Sequence, residues 1–389
     1  MNCCDEFERY YGSEPDGEVF CPYRICPLGA HTDHNCGLVT GFALDKGVTV
    51  AFSVCENGDI TVKSSQFETE EKWNINSIPE TKQNDWADYL RGATAGLRKK
   101  HLLTNGVRAY ISGSFAPGGL SSSAAVTLAF LNTLCRANSI LLSEEEYIVT
   151  AQNAERNYVG VMCGTLDQSC EILCRKDKLL YLDTLDGSYN LIEPGKSAKP
   201  FETGIFFSGL GHKLAGSKYN MRADELKSAA YAVKAFAGIE YGRFNETVMR
   251  DVDRDVFEIY KGRLPDSFRK RAEHWYNECG RVKKGVEAWK SGDIDRFGSL
   301  MNQSGKSSIE LWETGSDELT ALTGILQNTD GVYGARFSGA GFGGCCIALT
   351  DPVKREEIAY TVEREYSRLF PQTGFSAAFC ESGDGLKIQ

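Results

Sequence analysis

Gly119-Leu120-Ser121-Ser122-Ser123-Ala124-Ala125 runs directly into Val126-Thr127-Leu128-Ala129-Phe130-Leu131. A turn of small residues thus feeds an apolar helical pattern. Such a turn leaves unpaired backbone N–H groups and three hydroxyls at the positive end of a helix dipole, an arrangement suited to a triphosphate and its metal. No Gly-Lys-Ser/Thr follows, so the segment is not a Walker loop. Gly118, Gly119, Leu120, Ser121, Ser122 and Ser123 are the candidate phosphate contacts, through backbone and hydroxyl groups. Ser123, at the helix start, can offer an oxygen to Mg²⁺, a cation that prefers oxygen ligands. The plainer alternative is a helix cap whose small residues allow close packing.

Around this turn the pattern is mixed. Residues 19–25 and 106–113 read as strands, and 121–138 and 144–159 as helices. Asn57-Gly58 between the alternating runs 48–56 and 59–64 predicts a hairpin, and Asp186-Gly187 between 179–184 and 189–193 predicts a second. Lys196-Ser197-Ala198-Lys199-Pro200 breaks the pattern, which divides the chain into residues 1–196 and 197–389. Beyond the break come a strand at 203–208, helices at 218–237, 265–290 and 315–328, and a strand at 332–337. A glycine turn, a strand at 344–349, a helix at 353–369 with Asp351 as its cap, and a strand at 375–380 finish the chain. Strands and helices do not alternate regularly, which points to two α+β domains side by side.

Composition narrows the partners. The 389 residues carry a formal charge of −10, which disfavours a nucleic-acid duplex or an anionic membrane surface. No apolar run approaches the ~18 residues of a membrane span. Met1-Asn2-Cys3-Cys4-Asp5-Glu6 has neither the basic nor the apolar region of a secretory signal. The 14 cysteines are scattered without a CxxC pair, as expected of reduced, core-filling thiols in a cytoplasmic protein. His31 and His34 form the one close histidine pair, and no second ligand pair at zinc spacing accompanies them.

Three further segments are dense in chemistry. Arg24-Ile25-Cys26-Pro27-Leu28-Gly29-Ala30-His31-Thr32-Asp33-His34-Asn35 is a polar turn after a β-rich stretch, a usual place for binding residues. Glu155 and Asp167 lie twelve positions apart across a glycine-containing turn. One carboxylate could hold a metal and the other could accept a hydroxyl proton. Equally, Glu155 could be a solvated helix residue and Asp167 a helix cap. Gly339 to Gly344 spells a formal G-x-G-x-x-G, but an apolar strand-like run, Cys345-Cys346-Ile347-Ala348-Leu349, follows it. A dinucleotide motif opens a helix instead, so these glycines make either a plain turn or a second contact to the phosphate region.

Taken in order, Arg24 with Gly29-Ala30-His31-Thr32-Asp33, then Gly119 to Ala124, then Gly334 to Gly344 resemble the motifs of the GHMP kinases, within them the galactokinase branch. The resemblance runs from about Pro22 to Ala348. It implies an N-terminal ribosomal-S5-like domain, a C-terminal ferredoxin-like domain, an active site between them, and phosphoryl transfer from ATP to a small sugar. Carried over, Ser123 and Glu155 correspond to magnesium ligands, Asp167 to the catalytic acid/base and Arg24 to the residue that stabilises charge. Asp33 and Tyr219 correspond to sugar contacts.

Two departures matter. The phosphate turn reads Phe115-Ala116-Pro117-Gly118-Gly119-Leu120 where galactokinases carry Pro-x-Gly-x-Gly-Leu, so it is rebuilt but still glycine-rich. Galactokinases also carry Gly-Glu-His-Thr-Asp-Tyr, with the glutamate on the sugar's C6 hydroxyl, whereas Ala30 and His34 occupy those positions here. Two carboxylates side by side repel by on the order of 1–4 kcal/mol at surface-like dielectric. Losing that glutamate should admit a C6 carboxylate, with His31 near enough to donate to it. This pattern, together with Lys270-Arg271-Ala272-Glu273-His274, resembles the members of the branch that act on galacturonate. The expected reaction is phosphorylation of D-galacturonate at its anomeric hydroxyl. The alternatives are galactose as substrate, or a catalytically silent sugar sensor.

Overall fold

A computed structural model describes residues 2–210 and 216–388. Helix α1 (Cys3–Tyr11) starts at Asn2, whose side chain accepts the Asp5 N–H while the Asp5 carboxylate accepts the Asn2 N–H. There follow β1 (Gly17–Ile25), β2 (Leu38–Cys55), β3 (Asp59–Ser64), β4 (Glu71–Asn74), α2 (Asp88–Arg98) and β5 (Gly106–Gly113). Next come α3 (Ser122–Ala137), α4 (Glu144–Asn153), α5 (Leu166–Leu173), β6 (Leu179–Asp183) and β7 (Tyr189–Ile192). These strands form one sheet in the order β4-β3-β5-β2-β6-β7, with β1 also paired to β2. The 18-residue β2 organises it, pairing with β6 through Leu38 to Gly41 and with β5 through Val48 to Cys55.

The second layer is built from β8 (Glu202–Phe207), α6 (Gly216–Ala237), α7 (Arg254–Tyr260), α8 (Asp266–Ser291), α9 (Ile294–Glu310) and α10 (Asp317–Gln327). It is completed by β9 (Val332–Phe337), β10 (Cys345–Thr350), α11 (Arg355–Leu369) and β11 (Ser376–Cys380). Its antiparallel sheet has the order β11-β8-β10-β9. The period-2 alternation of β9 sends Ala335 and Phe337 into a core shared with Leu319, Leu322 and Leu326 of α10 and Ile358 and Val362 of α11. Each fully buried Phe, Leu, Ile or Val side chain in this core contributes roughly 1.5–3 kcal/mol. Arg336 therefore points the other way, toward α9. After β11 the chain returns to the first sheet. There β12 (Ser382–Gly383) pairs with Leu44 and Ala43, and the Leu386 N–H donates to the Glu171 carbonyl.

The structure corrects one expected hairpin. β2 and β3, joined at Asn57-Gly58, do not pair; β5 lies between them, antiparallel to β2 and parallel to β3. Alternation fixes which face of a strand is buried but not its neighbour, and the fully buried Val107 and Ala109 of β5 claim the central position. The hairpin at Asp186-Gly187 forms as β6 and β7. Asp351 caps the short 3₁₀ turn Pro352–Lys354 that leads into α11. The helix expected over 144–159 is α-helical only to Asn153 and continues as a π turn, Ala154–Val159.

Candidate active site

The polar turn after β1, the small-residue turn before α3, the π turn, the start of α5 and the glycine turn after β9 open onto one cleft of about 1110 Å³. A second hollow of about 560 Å³, beside β7 and α8, contains none of the candidate residues.

At the cleft floor, Arg24 Nε donates to Asp167 Oδ1 at 2.7 Å, and Arg24 Nη1 donates to the Gly119 carbonyl at 3.2 Å. The Ser121 hydroxyl donates to Asp167 Oδ2 at 2.7 Å. One guanidinium thus ties the carboxylate to the phosphate-type turn. Ser121 reaches this position with φ +63°, a left-handed conformation uncommon outside glycine. Its hydroxyl is committed to Asp167, so any phosphate contact from Ser121 falls to its backbone. Gly118, Gly119, Ser122 and Ser123 line the cleft, with Ser122 and Ser123 opening α3. Leu120 is the exception among the expected contacts. Its side chain is buried in the core, and its carbonyl accepts the Arg24 N–H.

The π turn explains how Glu155 enters the site. Its carbonyl accepts the N–H of Gly160, and the extra residue in the turn rotates the helix surface so that Glu155 is buried against the cleft. Gln168 Nε2 donates to its carboxyl at 2.7 Å. Burial, then the nearby Asp167 charge, pushes Glu155 up to about 8. The solvated-helix reading of Glu155 is therefore wrong. Glu171, one turn beyond Asp167, is also fully buried, and burial holds its carboxyl well above the usual range. No motif singled it out.

Ala30, His31, Asp33 and Tyr219 also line the cleft. Asp33 Oδ2 accepts the Leu166 N–H at 3.2 Å, and burial followed by the Asp167 charge pushes its carboxyl up to about 6. His31 has φ +63° and stacks on Trp312 with ring centroids 5.2 Å apart and planes 5° apart. Its Nε2 is buried without a hydrogen-bond partner, and burial holds the ring well below its ordinary pKa, hence neutral. Residue 30 is clamped from α8. His274 Nε2 lies 3.0 Å from the Ala30 carbonyl, which can only accept, so His274 Nδ1 accepts from the Ser307 hydroxyl at 2.9 Å. The neighbouring Arg271 pairs with Glu225 and Glu313 at 2.7 Å each, fixing α8 to α6. Lys270 to His274 is thus a brace behind the sugar-type motif.

The glycine turn packs on the serine turn. Ser338 Oγ donates to the Gly119 carbonyl at 2.6 Å. A Cβ on Gly344 (φ +97°) would lie 2.8 Å from the Gly118 carbonyl carbon, and one on Gly339 would lie 3.0 Å from Gly119 Cα. Only glycine permits this backbone-to-backbone approach of the two layers. The cleft is also lined by Phe67 and Trp86, stacked at 5.4 Å. These two aromatics carry no motif and were not legible in the sequence.

Comparison with known proteins identifies the family. The GHMP kinases N terminal domain matches residues 88–175, the GHMP kinases C terminal region residues 285–368, and the galactokinase galactose-binding signature residues 5–54. A galacturonokinase of Arabidopsis thaliana is 37% identical over 100% of this chain and 98% of its own. The chain belongs to the GHMP kinases. A galactokinase of Roseiflexus sp. is 31% identical over 98% of this chain and 95% of its own length. The Lactococcus lactis galactokinase complexed with galactose superposes with a TM-score of 0.90 at 25% identity, covering 99% of this chain and 98% of that one. This GHMP kinase is a sugar kinase of the galactokinase and galacturonokinase type, and ATP is its phosphoryl donor. Among the described residues no helix is long and apolar enough to cross a membrane.

Proposed function

We propose that this kinase transfers the γ-phosphoryl group of ATP to the anomeric hydroxyl of D-galacturonate. The observation that carries the choice of sugar is Ala30. It lines the cleft beside the unpartnered His31 Nε2, at the position where galactokinases place an acid. A methyl group there removes a negative charge from the path of an anionic substituent on C6. The 37% identity to a galacturonokinase over the full chain supports the same reading.

The residues divide the work. Asp33 and Tyr219 orient the sugar hydroxyls. Asp167, held on both oxygens by Arg24 and Ser121, accepts the anomeric proton. Arg24 offsets the charge that develops between the attacking oxygen and the phosphoryl group. Backbone N–H groups of the Gly118–Ser123 turn hold the phosphates at the start of α3. Phe67 and Trp86 supply a flat apolar wall for the base.

The residues fit Mg²⁺. Ser123 stands at the helix start, and Glu155 is a buried carboxyl facing the cleft whose ionised form a cation there would favour. Magnesium is commonly held by one or two protein oxygens plus substrate phosphates, and when bound it neutralises phosphate charge. The division at residues 196/197 is proposed to separate the sugar and serine motifs from the glycine motif.

An ADP-release assay with galacturonate, glucuronate and galactose, with ¹H and ³¹P NMR of the product, tests the proposal. Phosphate on C1 of galacturonate is the expected product. ADP release with none of the three sugars would favour the sensor alternative.

A further inference from the structure

Among the described residues, the cleft walls contain three cations, Arg24, Lys82 and Arg336. Two of them are already employed. Arg24 is paired with Asp167 at 2.7 Å. Lys82 is exposed, so water screens its charge, and it donates to the Val159 carbonyl at 2.9 Å, at the end of the π turn.

Arg336 is different. It is 1% exposed, yet among the described residues no carboxylate lies within ion-pair distance of it. Its guanidinium is held by neutral groups only: Nε donates to the Phe337 carbonyl at 3.0 Å, Nη1 to Ser304 Oγ at 2.7 Å and Nη2 to Ser308 Oγ at 3.2 Å. Two of its five N–H groups are left over. The nearest acid on this side, Glu278, is separated from it by the Ser304 hydroxyl, and its charge is taken by Arg281 at 2.7 Å and by the Gly29 N–H at 2.8 Å. That same relay, Gly29 to Glu278 to Ser304 to Arg336, places the guanidinium two side chains from the residue preceding Ala30.

A buried cation without a counter-charge costs several kcal/mol unless a ligand completes it. Here the unpaired guanidinium, the methyl of Ala30 and the unpartnered His31 Nε2 share one cavity. We propose that Arg336 is the specificity-determining cation that receives the C6 carboxylate of the sugar, with His31 Nε2 as an accompanying hydrogen-bond partner. The methyl of Ala30 brings no counter-charge to that guanidinium. An acid at position 30 would supply the missing counter-charge from the protein and close the subsite to a uronate. The inference rests on the uronate reading above and adds to it the residue that reads the charge.

The test compares galacturonate, galacturonamide (the same sugar with C6 uncharged) and galactose, with wild type and Arg336→Gln. Wild type is expected to bind galacturonate at least tenfold more tightly than the amide by calorimetry. Arg336→Gln is expected to lose that discrimination and to lower the galacturonate-to-galactose ratio of kcat/KM by about 30-fold, mainly through KM, the range of a charge-assisted pair. If wild type phosphorylates galacturonate but Arg336→Gln keeps both ratios within threefold, the Arg336 assignment is overturned and the uronate reading survives. If wild type does not use galacturonate, the uronate reading fails and the assignment with it. Should Arg336→Gln not fold, Ser308→Ala, which removes one anchor of the same guanidinium, carries the test. A fall of at least threefold in the acid-over-amide preference supports the assignment, and an unchanged preference overturns it.

Discussion

Arg24 Nε and Asp167 Oδ1 lie 2.7 Å apart although 143 positions separate them in the chain. The pair joins the end of β1 to the first turn of α5, and the same guanidinium reaches the Gly119 carbonyl of the phosphate-type turn. The proposed sugar and phosphate ends of the site therefore share one guanidinium.

Asp167→Asn keeps the shape of the side chain but removes the proposed base. Turnover is expected to fall about 10²-fold or more, as for loss of a positioned base, while ADP affinity measured by calorimetry stays within a few-fold. Turnover near wild type would take the proton-accepting role away from Asp167.

Asp33 carries a pH dependence. Its carboxyl is pushed up to about 6 by burial and by Asp167, and in the proposed role its ionised form is the stronger acceptor of a sugar hydroxyl. The KM for the sugar is expected to rise as pH falls below about 6, and Asp33→Asn should flatten that limb of the profile. Initial-rate measurements between pH 5 and 8 check this, and a KM that ignores pH in wild type would contradict it.

As the proposed magnesium ligand, Glu155 would link protons to the metal. With its carboxyl near pH 8 in the metal-free protein and at 4.5 ordinarily, the native state holds a proton that the unfolded chain has released. The group's contribution to stability is fully present below the unfolded value and is lost as pH rises from 4.5 through 8. Binding of magnesium with nucleotide should expel that proton, so affinity should increase with pH up to about 8. Calorimetry of Mg·ADP binding in two buffers of different ionisation enthalpy is expected to show net proton release at pH 7, abolished in Glu155→Gln.

The contact between the glycine turn and the serine turn has no room for a methyl group. Gly344→Ala places a Cβ 2.8 Å from the Gly118 carbonyl carbon at φ +97°. The expected cost is about 1–3 kcal/mol in urea unfolding, with a raised KM for ATP. Wild-type values for both would mean that the two turns separate freely.

Much of this was written in the sequence because the chemistry is local there. The serine turn, the glycine turn and the polar run after β1 are each contiguous, and their residue types are constrained by backbone approach or by charge. What was not legible depends on distant partners. The Asn57-Gly58 turn joins two alternating strands, but only the tertiary fold shows that β5 separates them. Glu155 lay in an ordinary helical pattern, and the π turn that buries it has no residue signature. Arg336 sat in a recognised motif as one residue of a strand. Its unpaired charge appears only when α9 delivers two serines in place of an acid. Phe67 and Trp86 come from a loop region whose apolar residues resemble any other.

The central claim is that a methyl group at position 30 admits an anionic sugar, and a competition assay tests it most directly. Purified kinase is given equimolar galacturonate and galactose with ATP and Mg²⁺, and the ratio of the two sugar 1-phosphates is read at early times for wild type and Ala30→Glu. Galacturonate 1-phosphate should predominate with wild type, and the ratio should shift toward galactose 1-phosphate in the variant. A wild type that makes mainly galactose 1-phosphate, or a variant whose ratio is unchanged, would contradict the claim.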